Sequence, residues 1–134
     1  MTIEAIIEKG PDGLYGIRSE TVLGRTCLGG FGESVEEARL DFKECIAEAV
    51  EDAQTEGITH ISPEEINIKF KYDLPSFFNY FEFINTSKFA VYAGINESKM
   101  RQYKNGLAYP SEKTTRKIMA AIKRIGSELS MAML

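Results

Sequence analysis

The sequence is poor in the residues that build metal sites and disulfide scaffolds: 134 residues hold two cysteines, one histidine and no tryptophan. Cys27 and Cys45 are too few to staple a fold, and neither stands in a C-x-x-C pair. His60 has no second histidine and no neighbouring cysteine, so a surface or capping role is expected of it, and neither a metal nor a cofactor is expected. Long apolar runs are missing as well. None approaches the roughly 20 residues that span a bilayer. The stretch from Met1 to Glu8 carries Glu4 and Glu8 where a signal peptide has positive charge and then an apolar segment. A cytoplasmic protein with no membrane partner is therefore expected. The cluster Gly29-Gly30-Phe31-Gly32 fits neither G-x-x-x-x-G-K-[ST] nor G-x-G-x-x-G, which argues against a phosphate loop.

What is present is an ordinary globular composition, 43% hydrophobic and 27% charged, with an uneven distribution of charge. Residues 1–73 hold 16 Asp and Glu against 7 Lys and Arg, a net −9, whereas residues 74–134 hold 4 against 9, a net +5. Two modules with partners of opposite sign explain this division better than one evenly charged body. Asp73-Leu74-Pro75-Ser76 marks the boundary.

In the acidic half, Ile3, Ala5 and Ile7 alternate as on a strand with one buried face, and Gly10-Pro11-Asp12-Gly13 turns the chain back into Leu14 to Arg18. A third extended stretch is expected from Val22 to Phe31, interrupted by glycines that suggest a bulge or a close backbone approach. Ser34-Val35-Glu36-Glu37 is a capping box that opens a helix, and Gly57 ends it. Its inner face reads Val35, Ala38, Phe42, Cys45, Ile46, Ala49 and Ala53. On the opposite face Glu37, Asp41, Glu44, Glu48 and Glu51 form a stripe at i+4 and i+3 spacing. Like charges so placed cost a few tenths of a kcal/mol each, so the stripe is either a solvated face or a surface for a basic partner. Ile66, Ile68, Phe70 and Tyr72 alternate in a fourth strand. The order is β-β-β-α-β: a mostly antiparallel sheet with a helix on one face and at least one open edge.

The basic half begins with an aromatic helix holding Phe77, Phe78, Tyr80, Phe81 and Phe83 that breaks near Asn85-Thr86. So many aromatics exceed one small stripe, and some are expected to pack on the acidic module or on a second subunit. Thr86 then caps a short helix with Phe89, Ala90 and Ala93 inside, ending at Gly94. Asn96 caps another, from Glu97 to Lys104, with Met100 and Tyr103 inside and Asn105-Gly106 as its stop. Pro110-Ser111-Glu112 opens a last helix with Ile118, Ala121, Ile122 and Ile125 inside and Lys113, Arg116, Lys117, Lys123 and Arg124 outside.

Two short helices joined through Gly94, the second with a polar, basic face, are the construction of a helix-turn-helix. The run Ser87-Lys88-Phe89-Ala90, Ala93-Gly94-Ile95-Asn96, Met100, Tyr103-Lys104-Asn105-Gly106 and Pro110-Ser111 resembles the repressor-type, Cro/XRE-like family over about 40 residues. The resemblance implies that Thr86 and Ser87 touch phosphate and that Asn96, Glu97, Ser98, Lys99, Arg101 and Gln102 face the DNA. Lys104 stands where that family commonly has Glu, which favours a backbone contact there.

The acidic module resembles the HicB antitoxin family in Pro11-Asp12-Gly13-Leu14-Tyr15, in the glycine-rich third strand and in Gly32-Glu33-Ser34-Val35-Glu36-Glu37-Ala38. That resemblance implies a partial ribonuclease-H-like fold in residues 1–73, a helix-turn-helix domain in residues 74–134, and a non-enzymatic antitoxin. Its partners would be a small basic ribonuclease, HicA-like, and double-stranded operator DNA, bound by a homodimer or tetramer. The alternative is a stand-alone repressor whose first module serves oligomerisation or ligand sensing. A metal-dependent nuclease would need carboxylates converging from several strands, and only Glu4, Glu8 and Glu20 are offered.

Overall fold

Ile3, Ala5 and Ile7 are fully buried along β1 (Thr2–Lys9) in the computed structural model, which describes all 134 residues of an α+β chain. β2 (Tyr15–Leu23) and β3 (Thr26–Gly32) follow as antiparallel neighbours, and β4 (Asn67–Tyr72) runs parallel to β1, giving the order β3-β2-β1-β4. The third strand begins later than its sequence suggests. Gly24 takes a φ of +63°, so Val22 and Leu23 complete β2 and the chain reverses before Thr26. The bulge also falls in β2 rather than among the glycines, because Arg18 pairs with Gly29 while Val22 pairs with Cys27. Ser19 holds the extra residues: its Oγ donates to the Glu4 carbonyl at 2.7 Å and accepts from the Thr21 amide at 3.2 Å.

Helix α1 (Val35–Thr55) packs chiefly on β3 and β2. Ser34 Oγ accepts from the Glu37 amide at 3.1 Å, and the Glu37 carboxylate accepts from the amide of Glu33 at 2.9 Å, one residue before the cap. Val35, Ala38, Phe42, Ile46, Ala49 and Ala53 are buried as their spacing predicts. Val50 joins them, while Cys45 is half-buried at the margin. The glycines of β3 bring the helix close: a Cβ on Gly30 would lie 2.7 Å from the Phe42 amide nitrogen and 2.8 Å from the Ala38 carbonyl oxygen.

Helix α2 (Leu74–Tyr80) is shorter than its aromatic run, which passes into turns at Phe81. Asp73 ties its start to the sheet, with one carboxylate oxygen accepting from the Ser76 amide at 2.8 Å and the other from the Lys9 amide at 2.9 Å. Phe77 and Phe78 are buried, and the Phe77 ring meets Tyr72 edge-on at 6.4 Å. The aromatics of α2 therefore complete the core of the sheet module. The first compact unit is Met1–Tyr80, and the boundary lies past the charge boundary at Asp73. Since residues 74–80 carry no charge, the unit keeps its −9.

The second unit, Phe81–Leu134, holds α3 (Thr86–Ala93), α4 (Glu97–Lys104) and α5 (Glu112–Met131). Asn85, not Thr86, caps α3, accepting from the Lys88 amide at 2.9 Å. Gly94 at φ +72° closes that helix, and Asn96 opens α4 by accepting from the Lys99 amide at 3.0 Å. The buried set is Phe89, Ala90, Met100, Tyr103, Ile118 and Ala121, while Ile122 and Ile125 are half-buried.

Candidate functional site

Met100 and Tyr103 anchor α4 by its buried side, and the 100° helical repeat then directs Ser98, Arg101 and Gln102 away from the core. Glu97, Ser98, Lys99, Arg101 and Lys104 are exposed, and Gln102 is half-buried. Asn96 is exposed with its side chain engaged in the cap, so its remaining capacity is the amide nitrogen. Thr86 and Ser87 stand half-buried at the first turn of α3, and Ser87 Oγ accepts from Arg101 Nη1 at 3.5 Å. Every residue named for this surface therefore lies on the start of α3 or along α4.

Farther along the unit, the five outward cations of α5 divide. Arg124 lies 4.3 Å over the Tyr92 ring, its Nε donating to the Tyr92 hydroxyl and its Nη2 to the Tyr92 carbonyl, both at 3.0 Å. Arg116 bridges Glu112 at 3.2 Å. Lys113, Lys117 and Lys123 are exposed and make no ion pair.

On the first unit the acidic stripe divides in two. The Asp41 carboxylate accepts from the Phe31 amide at 2.8 Å on the outer edge of β3, and that of Glu37 is held in the cap of α1 by the Glu33 amide. Glu44, Glu48 and Glu51 are exposed, and their carboxylates engage no partner. The stripe available to a basic partner is thus the last three residues. Its spacing shows in the sequence, whereas the Asp41 bond depends on which strand α1 covers.

The opposite flank of α1 carries a residue that sequence reasoning missed. The Arg39 guanidinium sits between the rings of Phe70 and Tyr80, at 4.2 and 4.3 Å from their centroids, and donates to the Tyr72 hydroxyl at 2.9 Å. Burial raises the pKa of Tyr72 against the opposing pull of Arg39, and burial together with the Asp73 carboxylate raises that of Tyr15.

Glu4 and Glu20 share a shallow depression on the helix-free face of the sheet with Lys69 and Lys71. No group of three or more His, Cys, Asp or Glu side chains is placed to hold a metal ion. No helix is long and apolar enough to cross a membrane. Comparison with protein families, with curated proteins and with solved structures finds no match to the chain.

Proposed function

We propose that this chain is a HicB-like antitoxin that also represses its own operon. The observation that carries the reading is the segregation of charge onto two compact units, −9 on residues 1–80 and +5 on residues 81–134. A ribonuclease needs a cationic surface for RNA, and the free carboxylates of Glu44, Glu48 and Glu51 offer that surface a competing negative face. On the second unit, α3 and α4 serve as a helix-turn-helix, with α4 entering the major groove. There Arg101 pairs with guanine and Gln102 with adenine, each contact worth about 1–3 kcal/mol of discrimination. Thr86, Ser87, Lys99 and Lys104 hold the phosphates, and Glu97 and Ser98 flank the base-reading pair.

One such unit reads half a site, so the repressor binds as a dimer across half-sites roughly 34 Å apart. Helix α5 supports this, because Ile122 and Ile125 are only half-buried and Leu129 is 63% exposed on the same apolar stripe.

Two sets of substitutions in the full chain separate the activities. Arg101→Ala with Gln102→Ala should abolish operator preference and leave protection against a co-encoded basic ribonuclease intact. Glu44→Lys, Glu48→Lys and Glu51→Lys together should slow toxin association and leave operator preference intact. If no neighbouring basic gene product binds the wild-type chain, the antitoxin reading fails and the stand-alone repressor takes its place.

A further inference from the structure

The two edges of the sheet are treated differently. At the β3 edge, Asp41 occupies the amide of Phe31, and Glu37 that of Glu33 just past the strand's end. The β4 edge has no such cover. The amides of Asn67 and Asp73 donate toward β1, to the carbonyls of Met1 and Ile7, so the strand's alternation turns those of Ile68 and Phe70 outward. β4 has β1 as its only neighbour in the sheet.

β4 itself carries only positive charge, Lys69 and Lys71, in a unit of net −9; the nearby acids Glu4, which pairs with Lys69, and Glu20 lie on β1 and β2, on the side away from the open edge. Of the seven Lys and Arg in residues 1–80, Lys69 and Lys71 lie on β4 and Arg39 sits over its Phe70 ring. Lys69 and Lys71 project from the helix-free face and make no ion pair. On the other face of β4, Ile68 and Phe70 are half-buried, leaving apolar surface at the margin of the core.

We propose that the edge of β4 is a strand-addition site for an extended partner segment in which acidic and apolar residues alternate. Main-chain pairing to Ile68 and Phe70 supplies the attachment, acidic side chains meet Lys69 and Lys71, and apolar ones extend the row of Ile68 and Phe70. A second copy of this chain does not suit the edge. β4 against β4 would set lysines opposite lysines, and on the β3 edge of another copy the Phe31 amide is already taken by Asp41. A basic partner is repelled here, so this surface is separate from the free carboxylates of α1, and the inference stands independently of the antitoxin reading.

The test uses the full chain and four synthetic six-residue peptides, matched to the length of β4. One alternates Glu and Val, one alternates Lys and Val, and two are copies of the first N-methylated on either alternate set of amides. The Glu-Val peptide should bind about tenfold or more tightly than the Lys-Val peptide, which reflects two cross-strand charge pairs. It should slow amide exchange at Ile68 and Phe70. N-methylation of one set should abolish binding, and N-methylation of the other should leave it. Lys69→Glu with Lys71→Glu should reverse the preference between the charged peptides. Equal binding of both N-methylated forms, slowing confined to other strands, or no binding of the Glu-Val peptide overturns the proposal. Slow exchange at Ile68 and Phe70 that depends on protein concentration without peptide assigns the edge to a second copy and also overturns it.

Discussion

Gly30, together with Gly32, lets α1 lie close against β3. Its added Cβ would meet only backbone atoms of Ala38 and Phe42, at under 3 Å, and backbone in a helix does not step aside. Gly30→Ala should therefore destabilise the chain by about 1–3 kcal/mol, read by chemical denaturation. Gly126 is the contrast, because it lies within α5 with nothing within 4 Å of an added Cβ. Gly126→Ala should gain about 0.5–1 kcal/mol in the same measurement, and an unchanged midpoint would count against a stable helix there. Ser76 is fully buried and its Oγ has no hydrogen-bond partner, so Ser76→Ala should leave stability unchanged or raise it, since an unmet buried hydroxyl costs about 1–3 kcal/mol.

Tyr15 and Tyr72 contribute to the alkaline pH dependence of the first unit. Burial raises the pKa of both in the folded chain, so above about pH 10 the unfolded chain loses phenolic protons that the folded chain retains. The unfolded state is then favoured. Their contribution is fully present below pH 10 and is lost as the pH rises through the folded values. A denaturation series from pH 8 to pH 11 should show this loss, smaller in Tyr15→Phe; an identical slope in the variant would exclude Tyr15 as a cause.

At the scale of elements, α1 presents two chemically different flanks. Toward β3 it sends the Asp41 carboxylate to an edge amide, and toward β4 it sends Arg39 into a pair of aromatic rings. Asp41→Ala should expose the Phe31 amide and cost about 1–2 kcal/mol, whereas Glu48→Ala should be near neutral, both by denaturation. If the two variants lose stability equally, the division of the stripe is wrong.

Legibility in the sequence follows how local each cause is. The caps Ser34, Asn96 and Ser111 show because a cap bonds an amide three residues on. Buried faces show because helical and strand periods repeat. Asn85 was hidden behind Thr86, since either residue type caps a helix. The hairpin at Gly24 is not legible because its position depends on pairing with a distant strand, whereas the expected packing of the α2 aromatics on the acidic module is met at Tyr72. The outward set on α4 is readable from the local helical repeat, whereas the tethers of Asp41 and Arg124 join residues far apart in sequence and are not.

At the scale of the whole molecule, two compact units carry opposite net charge, and the proposed repressor role requires residues 81–134 to read a DNA sequence. The direct measurement is the affinity of the full chain for a duplex from its own upstream region and for a scrambled duplex, across a range of salt concentrations. A repressor should show about a thousandfold or greater preference for the upstream duplex and a linear fall of log affinity with log salt on both. Gln102→Ala should lose more on the upstream duplex than on the scrambled one. Equal affinity for the two duplexes, or equal losses in the variant, would contradict the claim.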